Sequence, residues 1–177
     1  MNLPNKLTML RIVLVPVFVG LFLGGRYFAA LLVFAAASIT DTLDGQIARS
    51  RNLITNFGKL MDPLADKILV MSAMLCFVER GACPAWIVIV ILAREFLVTS
   101  LRLIAAGEGT VIAADLFGKA KTVAQMLWIV CGLLAFSFGA AWLWTLARIL
   151  MWLSMALALL SGANYCIKNR AVFLSDL

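Results

Sequence analysis

Four of the nine acids in the chain fall within one stretch of 26 residues: Asp41, Asp44, Asp62 and Asp66. Asp41 and Asp44 are three residues apart and Asp62 and Asp66 four apart, and either spacing puts both carboxylates of a pair on one face of a helix. Such a set offers only hard oxygen donors, which suit magnesium, manganese or calcium, and a pair of close ions needs about this many carboxylates. The plainer reading is of helix-end acids neutralised by Arg49, Lys59 and Lys67. It leaves the doubling of acids on two consecutive helices unexplained. Gly45 and Ala48 continue the stripe of Asp41 and Asp44, leaving room for a ligand against the helix backbone. Arg49 follows, with a planar fork suited to phosphate oxygens. Gly58 stands four residues before Asp62, where it serves equally well as a loop residue. The chemistry that suits this constellation is metal-assisted binding of a diphosphate.

The elements that carry these residues are read from hydrophobicity. The chain has 177 residues, 64% hydrophobic and 14% charged, with a mean hydropathy of +1.03. Soluble domains run at roughly 45–50% apolar and about 25% charged, so a soluble globular enzyme is excluded. Apolar runs cover 7–24, 27–47, 60–79, 84–107, 119–138 and 141–167, separated by short breaks. Each is long enough to span a bilayer. The expected fold is an all-α integral membrane protein with six transmembrane helices, a single domain over 1–177. Lys6 and Arg11 ahead of the first run imitate a signal peptide, but no small-x-small site stands near Gly24–Gly25, and a retained helix is expected. In such a setting a charge at the bilayer centre costs ~2.5–3.5 kcal/mol, so four acids call for a positive ligand.

The formal charge is +6. With six spans, the side holding both termini collects eleven basic residues against Arg26 and Arg80 on the other, which predicts cytoplasmic N- and C-termini. The basic excess is thereby explained by the membrane and needs no nucleic acid. There is no histidine, which removes the commonest general base at neutral pH. Cys76, Cys83, Cys131 and Cys166 form no CxxC pair and read as small buried hydrophobes.

The segment D-T-L-D-G-Q-I-A-R-x8-G-K-L-M-D-P-L-A-D, from Asp41 to Asp66, resembles the signature of the CDP-alcohol phosphotransferase family, D-x2-D-G-x2-A-R-x8-G-x3-D-x3-D, at each of its eight fixed positions. The resemblance implies transfer of a phosphate-linked group from a CDP-activated donor to an alcohol, with release of CMP. It implies that Asp41, Asp44, Asp62 and Asp66 hold two divalent ions, Mg2+ or Mn2+, on the donor diphosphate. Asp66 matches the proposed general base, and Gly45, Ala48, Arg49 and Gly58 match positions associated with the CDP moiety. A homodimer is implied in the same way and by nothing else.

Three flanking segments resemble bacterial members of the family that use glycerol 3-phosphate: Asn2 to Arg11, Ala93-Arg94-Glu95-Phe96 with Leu101-Arg102, and Gly118 to Thr122. The implied donor is CDP-diacylglycerol, and the implied setting is the bacterial cytoplasmic membrane with the active site facing the cytoplasm. Arg94, Arg102, Lys119 and Lys121 then offer a pocket for the acceptor phosphate. Arg94 lies inside an apolar run, where an ionisable residue is a functional candidate by default. Its plain partner is Glu95, although adjacent helical residues point about 100° apart. Glu95, Thr99 and Arg102 form an i, i+4, i+7 stripe, so an internal polar network stays open for Glu95 and Arg102. Lys119 and Lys121 serve equally well as anchors at a helix end. Asn5, Thr8 and Arg11 recur at helical spacing and either close the donor site from the side or sit at headgroup level. The rivals are the same chemistry with inositol phosphate, serine or phosphatidylglycerol as acceptor, a prenyltransferase, and a cation channel or transporter.

Overall fold

The computed structural model describes residues 3–50, 56–107 and 115–168, with the side chains of 3–7, 41–50, 56–60, 62, 63 and 66 outside the described set. The described residues form six helices and no strand: α1 Leu3–Leu23, α2 Tyr27–Ser50, α3 Asn56–Glu79, α4 Ala85–Gly107, α5 Leu116–Phe138 and α6 Ala141–Lys168. Every apolar run is a helix. The helices reach beyond the runs at polar ends, α1 by four residues and α3 by four at their starts, because backbone hydrogen bonding continues where apolarity stops. Asp62 and Asp66 both fall within α3.

Tight reversals join α1 to α2 and α3 to α4. In both, the chain closes with a glycine in the left-handed region, Gly25 at φ 75° and Gly81 at φ 68°. Around Gly25 the Arg26 amide donates to Leu21 O at 2.9 Å and the Gly25 amide to Phe22 O at 3.0 Å, which satisfies carbonyls that the helix end would leave open. Ala82 to Phe77 O and Gly81 to Val78 O repeat this pairing. Together with the Phe22–Phe77, Lys67–Thr99, Lys121–Glu95 and Asp115–Tyr165 contacts, these reversals make consecutive helices antiparallel. The end of α2, the start of α3, the end of α4, the start of α5 and the end of α6 share one end of the bundle.

α5 packs most extensively on α6; α1 packs on α2 and α3, and α4 on α6 and α3. The interior is aromatic toward the other end. Phe22 meets Phe18, Tyr27, Phe77 and Phe136 at centroid distances of 5.3–6.1 Å, and Trp128 lies 5.9 Å from Phe77. Gly132 on α5 lets Phe77 approach, since a Cβ there would lie 2.3 Å from the Phe77 ring. Cys76 and Cys83 are buried, and burial pushes the Cys83 thiol up to about 11, in keeping with small hydrophobic roles.

Among the described residues, α5 and α6 are long and apolar enough to cross a membrane, with mean hydropathy 1.5 and 1.8. Less than half of each is buried, whereas the core helix of a soluble protein is mostly buried. Shorter apolar stretches run Thr8–Leu23 and Tyr27–Thr40. Large apolar side chains stand exposed on every helix, Val13, Leu32, Leu75, Ile89, Val123 and Ile149 among them. An apolar surface continued around a whole bundle suits lipid better than water.

Candidate functional site

The backbone places Asp41 and Asp44 in α2 and Asp62 and Asp66 in α3, and those two helices touch. The side chains of Asp41, Asp44, Gly45, Ala48, Arg49, Asp62 and Asp66 lie outside the described residues, as do those of Asn5 and Gly58. Thr8 and Arg11 are fully buried inside the bundle, not exposed on its surface.

The basic candidates gather beyond this segment. Lys67, next to Asp66 in sequence, donates from Nζ to Thr99 Oγ1 at 2.6 Å, which ties the acid-bearing part of α3 to the polar stripe of α4. Four residues before Thr99, Glu95 accepts from Arg94 Nη1 at 2.7 Å and from Lys121 Nζ at 2.5 Å. The adjacent pair thus meets despite its divergent Cβ directions, because the long arginine stem swings its head back to the glutamate. Arg94 lines a cleft and is also paired, as the plainer expectation for it has it. Lys121 is 3% exposed and held on α4, so it is not an exposed anchor at a helix end. The stripe Glu95, Thr99, Arg102 does not bond to itself; its members reach to α5, α3 and α6 in turn.

Arg94, Arg102 and Lys119 line a single cleft of about 400 Å³, together with Glu95, Asp115 and Tyr165. Arg94 also bonds Ser161 on α6. Space for its head exists because Gly118 and Gly162 face it: a Cβ on Gly118 would lie 3.0 Å from Arg94 Nη2, and one on Gly162 would lie 3.2 Å from Arg94 Cγ. Arg102 has no carboxylate partner among the described residues; its guanidinium lies 5.8 Å from the Tyr165 ring centroid. Counting Lys121 on Glu95, four cations face two carboxylates, Glu95 and Asp115. The surplus of two positive charges suits a small dianion, and the low-dielectric surroundings strengthen the attraction.

Sequence reasoning missed Ser161, Asn164 and Tyr165, and it passed over Asp115. Tyr165 accepts the Asp115 amide at 3.1 Å, and Asn164 Nδ2 donates to Asp115 Oδ2 at 2.8 Å. A signal was present: Ser154, Ala158, Ser161 and Tyr165 fall at i, i+4, i+7 and i+11 on α6, and all four are buried. Polar residues on one stripe of an apolar helix mark an inward face.

Among the described residues no three His, Cys, Asp or Glu gather closely enough to hold a metal ion. The quartet at 41–66 therefore carries the whole case for a metal. Its donor chemistry fits hard divalent cations, since it is carboxylate alone in a chain without histidine whose Cys76 and Cys83 are buried in apolar packing.

The family model for CDP-alcohol phosphatidyltransferase matches residues 1–160. The chain is 42% identical, over 95% of each chain, to the CDP-diacylglycerol–glycerol-3-phosphate 3-phosphatidyltransferase of Bacillus subtilis. It is 37% identical to the Escherichia coli protein of that name, over 89% of this chain and 96% of the relative. A probable phosphatidylglycerophosphate synthase of Mycobacterium tuberculosis is 41% identical over 93% of this chain and 79% of its own. The fixed aspartates, the six helices and this near-full-length likeness place the chain in the CDP-alcohol phosphatidyltransferase family.

Proposed function

We infer that the protein transfers the phosphatidyl group from CDP-diacylglycerol to sn-glycerol 3-phosphate, giving phosphatidylglycerophosphate and CMP. The relatives that carry this activity in their names support the reaction class and both substrates. The geometric observation that carries it is the Lys67–Thr99 hydrogen bond. It sets the segment of α3 that bears Asp62 and Asp66 against the segment of α4 that bears Arg94 and Arg102. A donor held on the carboxylates and a phosphorylated acceptor held on the arginines would then be neighbours.

In this reading Asp41, Asp44, Asp62 and Asp66 hold the metal, with Gly45, Ala48, Arg49 and Gly58 beside the CDP moiety and Asn5, Thr8 and Arg11 closing that side. Members of the family are in general divalent-metal dependent, and Mg2+ or Mn2+, as two ions, suits the quartet. When bound, such ions neutralise the diphosphate and stabilise charge during in-line displacement. Asp66 takes the proton from the acceptor hydroxyl as its oxygen bonds to the phosphorus carrying the diacylglycerol, and CMP departs with the electron pair of the broken P–O bond. Arg94, Arg102 and Lys119 orient the acceptor by its phosphate, while Lys121, expected among them, neutralises Glu95 from its far side, so that positioning supplies much of the rate.

The same reading makes the chain one six-span domain in the bacterial cytoplasmic membrane, termini and site on the cytoplasmic side. Family resemblance alone supports a homodimer. The test is CMP release by the purified protein in vesicles containing CDP-diacylglycerol, with glycerol 3-phosphate, inositol phosphate, serine or no acceptor, each with Mg2+ or with EDTA. Release confined to glycerol 3-phosphate plus metal is expected. Preference for another acceptor overturns the assignment of the basic cleft while leaving the carboxylate site in place.

A further inference from the structure

Arg94 and Arg102 stand eight residues apart on α4, about 12 Å along its axis, so nothing in the helix itself brings their heads together. Both heads nevertheless lie over one ring: Arg94 Cζ is 5.7 Å and Arg102 Cζ 5.8 Å from the Tyr165 centroid. Tyr165 comes from α6 and is 4% exposed. Its ring is held at both edges of the cleft, by its own helix and through its hydroxyl, which accepts the amide of Asp115 at the N-cap of α5. Asn164, the preceding residue, fastens the Asp115 carboxylate at 2.8 Å. Three helices thus converge on one phenol.

The two arginines depend on it unequally. Arg94 has Glu95 and Ser161 as further partners. Arg102 has the Tyr165 ring alone among the described residues, and its buried Nε donates to none of them. An aromatic face attracts a guanidinium without neutralising it, unlike a carboxylate. A charge steered in this way keeps its full capacity for an incoming phosphate.

We propose that Tyr165 is the positioning residue that holds both guanidiniums at one cleft, and so determines preference for a phosphorylated acceptor. This rests on the reading of the cleft as the acceptor site. In this role Tyr165 acts through Arg94 and Arg102. The ring and the hydroxyl have separable work, the ring aiming the two cations and the hydroxyl latching α6 to α5.

The experiment compares the full-length protein in lipid nanodiscs with Tyr165→Phe, Tyr165→Leu and Tyr165→Met. It reads apparent KM for glycerol 3-phosphate, apparent KM for CDP-diacylglycerol, kcat and Tm. Removing the ring should raise the acceptor KM roughly tenfold, the scale of two partly desolvated cation–π contacts, with the donor KM moved less than about twofold. The phenylalanine variant should keep the acceptor KM within about threefold of wild type and show its loss as a lower Tm, since the ring stays and the latch to Asp115 is gone. Tyr165→Met is the unbranched alternative should Tyr165→Leu fail to fold. Acceptor KM unmoved in the ring-less variants, or raised as far by Tyr165→Phe as by them, overturns the proposal. The wild-type control separates this from failure of the function itself. A wild-type protein that releases CMP without preference for glycerol 3-phosphate defeats the reading of the cleft, whereas a selective wild type with an indifferent Tyr165→Leu defeats only the role of the ring.

Discussion

The two ends of this bundle are built from the same helices by opposite means. Around Phe22, four rings close on a fifth, and contact comes from shape alone. Around Glu95, the contacts are directional: a carboxylate shared by Arg94 and Lys121, a lysine on a threonine, a phenol on a backbone amide. Apolar packing is non-directional and holds helices wherever volumes fit, while hydrogen bonds fix a group only at one distance and angle. The aromatic end can therefore carry much of the stability of the fold and leave the charged end free to hold an uncompensated positive charge. Variants at the two ends should separate accordingly, in turnover or affinity at one and in melting at the other.

The largest expected effect belongs to the acid-bearing helix pair. Asp66→Asn removes the proposed base while keeping the side chain's volume, and turnover should fall by about 10²- to 10⁴-fold, the usual scale of general acid–base catalysis. Its Tm should stay close to wild type, because the aromatic packing is untouched. Wild-type turnover in the folded variant removes Asp66 from the base role.

Arg94→Ala comes next. A hydrogen bond to a charged group is worth about 1.5–3 kcal/mol, so the apparent KM for glycerol 3-phosphate should rise by about ten- to a hundredfold. The donor KM should change far less. Glu95 is not orphaned by this change, since Lys121 remains 2.5 Å away, and a general collapse of the charged end is not expected. Equal rises in both KM values would make Arg94 a structural arginine.

What could be read from the chain follows the same division. The six helices were legible because apolar runs 20 or so residues long have one stable backbone answer, and the breaks at Gly25 and Gly81 carry the residue that a left-handed cap needs. The acids were legible because their spacing is local to a helix. The basic cleft was legible only in part. Arg94, Arg102 and Lys119 were singled out and do line one cavity, yet Lys121 faces the other side of Glu95. Tyr165 escaped because its meaning is tertiary: it lies 63 residues beyond Arg102 in the chain, and only the packing of α4 on α6 joins them. The Arg94–Glu95 pair was legible as the plain alternative: Cβ directions argue against the contact, and a flexible stem then allows it.

The smallest expected change tests the aromatic end. Gly132→Ala adds one methyl where a Cβ would sit 2.3 Å from Phe77 Cε1 and 2.6 Å from its Cζ. Phe77 is 1% exposed and is bounded by Phe22 at 5.5 Å, Phe136 at 5.6 Å and Trp128 at 5.9 Å, so its ring has nowhere to turn. Overpacking of this kind costs about 1–3 kcal/mol, and the Tm in detergent should drop measurably. Both KM values should hold in the folded protein, because α5 carries Gly132 about three turns from Lys121. Adding Phe77→Leu to Gly132→Ala should recover part of the loss, as contacting residues couple where distant ones merely add. A Gly132→Ala protein with wild-type Tm but a raised acceptor KM would mean that the two ends are not separable, and that ring packing along α5 tunes the cleft directly.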